Sequence, residues 1–261
     1  MSKISIVMPI AYDYRYSYRS LQSVYEIADE VVLGIDRDRI SWSGKPYSLD
    51  IDAFRMRINE IDTRGIVRIL EGDFHALARP MENEITERNF LANQCAPGNW
   101  IVQIDSDEQA INVRDFKAWL ATADRSRDVQ AKWITVFKTF GEKYLVVEEP
   151  DGKVSVATTA PGPFIDGRAT GCPKVASNLI LLHHSWGRTR DELVQKLTNW
   201  GHSQDFEAQD FLRLWDSVTL ENFHLARDFH PLYGPLWRSL RLVKVPPPGL
   251  NVGLPEAPAG A

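Results

Sequence analysis

"ERNFLANQCAPGNWIVQIDSDEQ", residues 87–109, decides the fold. A helical stretch stops at Pro97-Gly98, an apolar strand begins at Trp100, and that strand runs into Asp105, Asp107 and Glu108. Carboxylates this close repel one another unless a cation or a basic partner lies between them. Toward the N-terminus the same alternation recurs. Residues 3–10, "KISIVMPI", are a continuous apolar run, as in a strand buried on both faces of a parallel sheet. Residues 17–28 place Leu21, Val24, Tyr25 and Ala28 at helical spacing, and 30–36, "EVVLGID", read as a second strand. A helix over 50–61, a strand over 65–72 and a helix over 81–96 lead to the fourth strand, "WIVQID". This succession predicts right-handed crossovers and an α/β fold with an open, mostly parallel sheet and helices on both faces.

Beyond Asp107 the rhythm changes. A helix is predicted over 112–123, then short strands of more antiparallel character over 131–140, 143–149 and 153–159, and another strand over 178–186. Residues 189–225 read as mostly helical. The Pro/Gly/Ala-rich stretch 246–261 reads as a flexible tail.

The 261 residues are 44% hydrophobic and 25% charged, as in an ordinary globular protein. A net charge of −5 with no basic stripe argues against nucleic-acid binding. Two cysteines without CxxC spacing point to a reducing compartment, with neither a disulfide framework nor a zinc ribbon. The N-terminal apolar run is too short for a signal peptide or membrane span, so a cytoplasmic location is expected.

In an open parallel sheet, ligands bind beyond the carboxyl ends of the strands. Three such ends carry unusual polar residues: "MPIAYDYRY", "GIDRD" and "IDSDE". Asp36 is placed to accept from a ribose or base, and Tyr12 or Tyr14 to stack on a base. Asp105 and Asp107 suit a divalent cation bridging a diphosphate, since hard cations take carboxylate oxygens. A helix N-cap, the plainer use of such residues, needs only one carboxylate.

"ISIVMPI", "VVLGID" and the 87–109 stretch together resemble family 2 glycosyltransferases of the GT-A fold, in the branch whose metal motif reads Asp-Xaa-Asp-Glu. The resemblance covers residues 3–110 well, "LILLHHSWGR" less well, and 111–175 hardly at all. It implies a nucleotide-sugar-binding half over 1–110 and an acceptor-binding half of the same domain over 111–245. The implied reaction is a Mn²⁺- or Mg²⁺-assisted, inverting transfer from a nucleotide-diphosphate sugar to a glycan or lipid-linked saccharide, in surface-glycan or lipopolysaccharide assembly. Such work suits the cytoplasm or the inner face of a membrane.

The resemblance also implies site residues. Donor contacts fall on Pro9, Ile10, Ala11, Tyr12, Asp36, Arg88, Asn89, Asp105 and Ser106. The cation falls to Asp107 and Asp105, completed by His183, with His184 as the alternative because alternation lets only one imidazole face the site. Arg188 and Arg190 would offset leaving-group charge. Asp166, in the Gly/Pro-rich loop "PGPFIDGRATG", takes the position of the catalytic base, although the family's usual Glu-Asp pair is missing; Glu148, Glu149 and Asp205 are rivals.

Other segments read more plainly. Leu193, Leu197 and Trp200 form the apolar stripe of a helix with Glu192 and Lys196 at i, i+4, and Trp186 is free to stack on a sugar. Aromatics and arginines over 223–245 suit ordinary packing better than peripheral membrane contact. A sugar nucleotidyltransferase would need a Gly-rich loop after strand one, and "MPIAYDYRY" has no glycine. A dehalogenase-type phosphohydrolase would carry Asp-Xaa-Asp after the first strand. A nucleotide-sugar or carbohydrate-binding protein without turnover is the non-enzymatic alternative.

Overall fold

The computed structural model describes residues 3–149, 152–160, 163–165, 167–199, 207–231 and 236–244. Strands β1 (Ile4–Ile10), β2 (Glu30–Asp36), β3 (Val67–Gly72) and β4 (Trp100–Gln103) lie side by side in the order β3-β2-β1-β4, all parallel. Every residue of β1 is buried. Ile4, Ile6, Met8 and Ile10 enter one core, while Val7 enters a second with Leu91 and Ala92. That alternation between two covered faces is why the strand reads as continuously apolar.

The crossovers are α1 (Tyr14–Val24), α2 (Ile51–Ile61) and α3 (Pro80–Asn93). The Asp50 side chain accepts from the amides of Asp52 and Ala53 and so starts α2 at the expected place. Helix α1 begins at Tyr14, ahead of the expected Ser17, and gives way to one 3₁₀ turn, Tyr25–Ile27. Its apolar face is the expected one, with Leu21 and Val24 buried.

Two strands went unread in the sequence, β5 (Glu108–Ala110) and β10 (Leu240–Lys244). Between them come α4 (Val113–Leu120), β6 (Asp128–Phe140), β7 (Lys143–Val147), β8 (Lys153–Thr158), β9 (Lys174–His183), α5 (Arg190–Asn199) and α6 (Ala208–Ser217). β8 joins β4 antiparallel, and the sheet continues through β6, β7 and β10. β9 runs parallel to β6 and antiparallel to β5, in the register Glu108↔His183. The acidic turn after β4 is thereby stitched to the histidine strand.

A further core gathers Phe137, Leu145, Trp186, Leu193, Phe211, Trp215 and Trp237. Trp186 is 2% exposed and lies 4.5 Å from Phe211, ring to ring, so it packs in this core and does not offer a face to a sugar. Trp237 and Leu240 are buried in the same core, which is the ordinary packing expected of the late aromatics. Among the described residues no helix is long and apolar enough to cross a membrane. The 246–261 tail lies outside the described residues.

Where α3 crosses β2, Gly34 lets the helix approach closely. A Cβ there would stand 2.7 Å from Glu87 Oε1 and 2.9 Å from a Leu91 methyl. Glu87 is buried, accepts from the Trp42 indole N–H, and leaves Oε1 without a partner. Burial pushes its carboxyl up to about 8, against the opposing effects of Trp42 and Arg88. The folded chain therefore keeps a proton that the unfolded chain releases in the ordinary carboxylate range, and stability falls as pH rises from that range to about 8. Glu87→Gln removes this slope. Urea denaturation of both proteins at pH 5 and pH 8 should show the variant gaining on the parent with pH, by a few kcal/mol in order of magnitude; parallel slopes would refute the buried neutral carboxyl.

Candidate functional site

The β4–β5 turn folds on itself. Glu108 N donates to the Asp105 carbonyl at 3.0 Å, and Asp105 N donates to Glu108 Oε2 at 2.8 Å. Glu108 is fully buried, and Arg168 meets it with two N–H groups at 2.8 and 2.9 Å. The same guanidinium reaches Asp105 Oδ2 at 2.5 Å, while Arg88 Nη2 lies 2.9 Å from Asp105 Oδ1. Arg88 is tied back to Glu84 on its own helix by Nε at 2.9 Å.

Asp107 is held from the other side. Arg188 Nη2 lies 2.5 Å from Asp107 Oδ2 and 2.9 Å from Asp13 Oδ2, and its Nε donates to the Ser185 carbonyl. Lys196 Nζ lies 3.1 Å from the same Asp107 oxygen, and His183 Nε2 lies 3.5 Å from it. Ser106 Oγ donates to Asp13 Oδ1 at 2.7 Å. The close carboxylates are thus reconciled by basic partners of the chain itself. Burial alone would raise the Asp105 carboxyl, but Arg168 and Arg88 bring it down to about 2. Burial would likewise raise Asp107, and Lys196, His183 and Arg188 hold it well below the usual range.

These residues do not present a ready seat for the expected cation. Asp105 and Glu108 have both oxygens engaged, and Asp107 Oδ2 already faces two buried cations. A dication bound ~2.1 Å from that oxygen would stand within about 5 Å of Lys196 Nζ and repel it by about 6 kcal/mol at an effective dielectric of about 20. Among the described residues one group has metal-ligand spacing, Asp36, Asp73 and His75, and it lies at the ends of β2 and β3. Acidic groups of that kind are common without an ion.

Asp36 has its own employment. Its Oδ1 accepts from Asp38 N and Ile40 N, and its Oδ2 from Phe74 N and His75 Nδ1, at 2.8–3.1 Å. That fills the four acceptor sites of a carboxylate. Burial would raise its carboxyl, and the bonds from His75, Phe74, Ile40 and Asp38 more than reverse this. Asp36 therefore organises the loops after β2 and β3, where a contact to ribose or base was expected. Asn89 is spent similarly, with its amide exchanging hydrogen bonds with the Phe164 backbone.

The remaining expected residues separate clearly. Pro9 and Ile10 are buried within β1, with Ala11 at its end. Tyr12, Asp13, Tyr14, Arg15, Tyr16, Ser48, Arg188, Glu192 and Gln195 line one cleft beside the acidic turn. Arg188 lies 4.6 Å above the Tyr16 ring. His183 stacks on Trp133 at 4.4 Å, whereas His184 is buried edge-on to Tyr144 at 5.5 Å. Burial, then Arg19, pushes the His184 imidazole down to about 3, so it stays neutral. Arg190 pairs with Asp216 on the surface. Glu148 is engaged by Ser239 and lies 3.8 Å from Arg241 at the β7–β10 edge. Asp166, Trp200 and Asp205 lie outside the described residues.

Three participants were not singled out in the sequence: Asp13, Arg168 and Lys196. Lys196 could have been found, because it falls at i+3 from Leu193, on the apolar stripe. Its i, i+4 relation to Glu192 suggested a solvated pair, yet it is 5% exposed. Arg168 follows a Gly/Pro-rich segment with no periodicity to read.

No protein-family model matches the chain, and no curated protein does. Solved structures similar to it include a mycobacterial protein, at 16% identity over 51% of this chain and 42% of that one, with a TM-score of 0.34. The chain thus spans less than half of that protein's length. Others are Mycobacterium tuberculosis glucosyl-3-phosphoglycerate synthase with Mn²⁺, UDP and glucosyl-3-phosphoglycerate (15% identity, 74% and 75% of the two chains, TM-score 0.37), and 4-diphosphocytidyl-2C-methyl-D-erythritol synthase (11%, 76% and 99%, 0.38). At these scores the likenesses carry no weight for the chemistry, which rests on the geometry above.

Asp105→Asn takes one carboxylate partner from Arg88 and Arg168, which keep Glu84 and Glu108, and should cost about 2 kcal/mol at pH 7 in chemical denaturation. The parent's advantage is present above the ordinary carboxylate range and fades as pH falls toward about 2, so the gap should narrow at pH 3. An unchanged gap would contradict the ion-paired assignment. Asp36→Ala strips partners from three backbone amides and should cost at least about 2 kcal/mol; a melting temperature equal to the parent's would return Asp36 to the list of free ligand contacts.

Proposed function

We propose that the chain is a glycosyltransferase that uses a nucleotide-diphosphate sugar. The observation that carries this reading is a single cleft lined by the segment after β1, by Arg188 and by Glu192 and Gln195 of α5, with Arg188 joining it to Asp107 of the acidic turn. Tyr12, Tyr14 and Tyr16 give it aromatic walls, and Ser48, Glu192 and Gln195 give it polar atoms suited to hydroxyl groups. Arg188 faces this cleft with a rigid, charged fork, as a departing diphosphate requires when negative charge develops on it.

In the proposed reaction the donor diphosphate lies against Arg188, and the acceptor hydroxyl attacks the anomeric carbon from the cleft. Inversion needs a carboxylate to take the hydroxyl proton. Asp166 holds that role by its place in the sequence. Glu192 is its rival by position: it lines the cleft and is kept ionised, because the bonds from Thr189 and Tyr16 outweigh the raising effect of burial. The segment after β1, Ala11-Tyr12-Asp13, offers no glycine for the phosphate loop of a nucleotidyltransferase. The acceptor is proposed to be a saccharide; surface-glycan assembly remains an expectation drawn from the family resemblance.

A screen of nucleotide sugars against the full chain tests this, with and without saccharide acceptors. One donor should be consumed with release of a nucleoside diphosphate. Arg188→Gln should lower kcat/KM for it by about 10²-fold or more. Asp166→Asn and Glu192→Gln, compared on the same donor, identify the base as the variant that loses transfer while still binding nucleotide. Pyrophosphate release from a nucleoside triphosphate and a sugar phosphate would instead make the chain a nucleotidyltransferase.

A further inference from the structure

A divalent cation at the end of β4 would have to crowd or displace basic partners, because each Asp105 and Glu108 oxygen already accepts from Arg88, Arg168 or the Asp105 amide, and Asp107 Oδ2 faces Arg188 and Lys196. Lys196 is buried on α5 between Leu193 and Leu197, and the carboxylate within ion-pair distance of it among the described residues is that of Asp107, at 3.1 Å. A buried ammonium is costly unless paired. Displacing it from Asp107 would leave it, among the described residues, with the Trp186 ring at 6.0 Å and no carboxylate in ion-pair distance. Arg188 is equally fixed, by Asp13, Asp107, the Ser185 carbonyl and the Tyr16 ring.

We propose that Lys196 and Arg188 take the electrostatic place of a divalent cation at this strand end, so that a nucleoside diphosphate binds the chain without one. The proposal deepens the nucleotide-sugar reading and rests on it. Both side chains keep donors in reserve. Arg188 makes its described bonds through Nε and Nη2, leaving the Nη1 hydrogens, and Lys196 uses one of three N–H groups on Asp107. Those spare donors, on side chains already held in place by Asp107 and Asp13, match the oxygens of a diphosphate. Asp107 then acts as a positioning residue: it holds Arg188 at the cleft and Lys196 buried beside it, and does not itself ligate a metal.

The test uses Mn²⁺ alone, and UDP and GDP as probes, on the full chain. Mn²⁺ titrated into the parent and followed by its electron paramagnetic resonance signal should show no binding that Asp107→Asn abolishes. Lys196→Met, which keeps the length and removes the charge, should acquire Mn²⁺ binding, and Lys196→Met/Asp107→Asn should lose it again. If Lys196→Met does not fold, the parent and Asp107→Asn titrations still decide. Mn²⁺ retained in Asp107→Asn but lost in His75→Ala belongs to the Asp36–Asp73–His75 group and supports the proposal. By calorimetry, whichever nucleotide binds should show the same Kd in EDTA and in Mg²⁺ within about threefold. Parent Mn²⁺ binding that disappears with Asp107→Asn, or a Kd at least about tenfold tighter in Mg²⁺, overturns it. If neither nucleotide binds under either condition, the donor reading falls, and the Mn²⁺ titrations alone settle whether Lys196 holds the cation's place.

Discussion

The pairing of Asp105, Asp107 and Glu108 with Arg88, Arg168, Arg188 and Lys196 is the interaction on which the rest of the site depends. Taking carboxylates out of water costs several kcal/mol each unless opposite charge is buried with them in good geometry. The four cations come from three places: α3, the loop before β9, and the segment from Arg188 into α5. Satisfying one short turn therefore draws the parallel half of the sheet and the antiparallel half into a single arrangement. The β5–β9 ladder carries the backbone part of the same joint.

The parallel half was legible because its signal is local. Strands buried on both faces are continuously apolar, and β2 matches its expected bounds at both ends. Asp50 announced the start of α2 by its capping chemistry. The site was legible only in part, because its ion pairs join residues 17 to 175 positions apart and no spacing rule links them. The acidic turn, Arg88, His183 and Arg188 were all singled out, and the structure brings them together. What could not be read was the partner of each: the same carboxylate cluster suits a cation or a set of arginines, and Arg168 sits where no periodicity marks it.

Asp36 shows the same ambiguity in reverse. A carboxylate at the end of the second strand is well placed for a ribose, but its identity does not reveal whether the following loops consume its lone pairs. Here four donors do so, and they fix the segment that carries Trp42 over Arg88, 5.7 Å from the ring centroid. Trp186 was misread for a related reason. A tryptophan beside a glycine looks unconstrained in sequence, whereas the core formed by β6, α5 and α6 claims it. In the cleft itself, Arg188 is held by Asp13, Asp107 and the Ser185 carbonyl, and Glu192 by Thr189 and Tyr16, which favours a rigid, preorganised site.

Crystals grown with Mn²⁺ and the nucleoside diphosphate that the chain binds offer the most direct measurement, through the anomalous difference map collected at the manganese edge. A diphosphate should lie within hydrogen-bond distance of Arg188 and Lys196, with Asp107 still paired to both and no manganese peak at Asp105 or Asp107. A manganese peak between those two carboxylates, with Lys196 turned away, would contradict it.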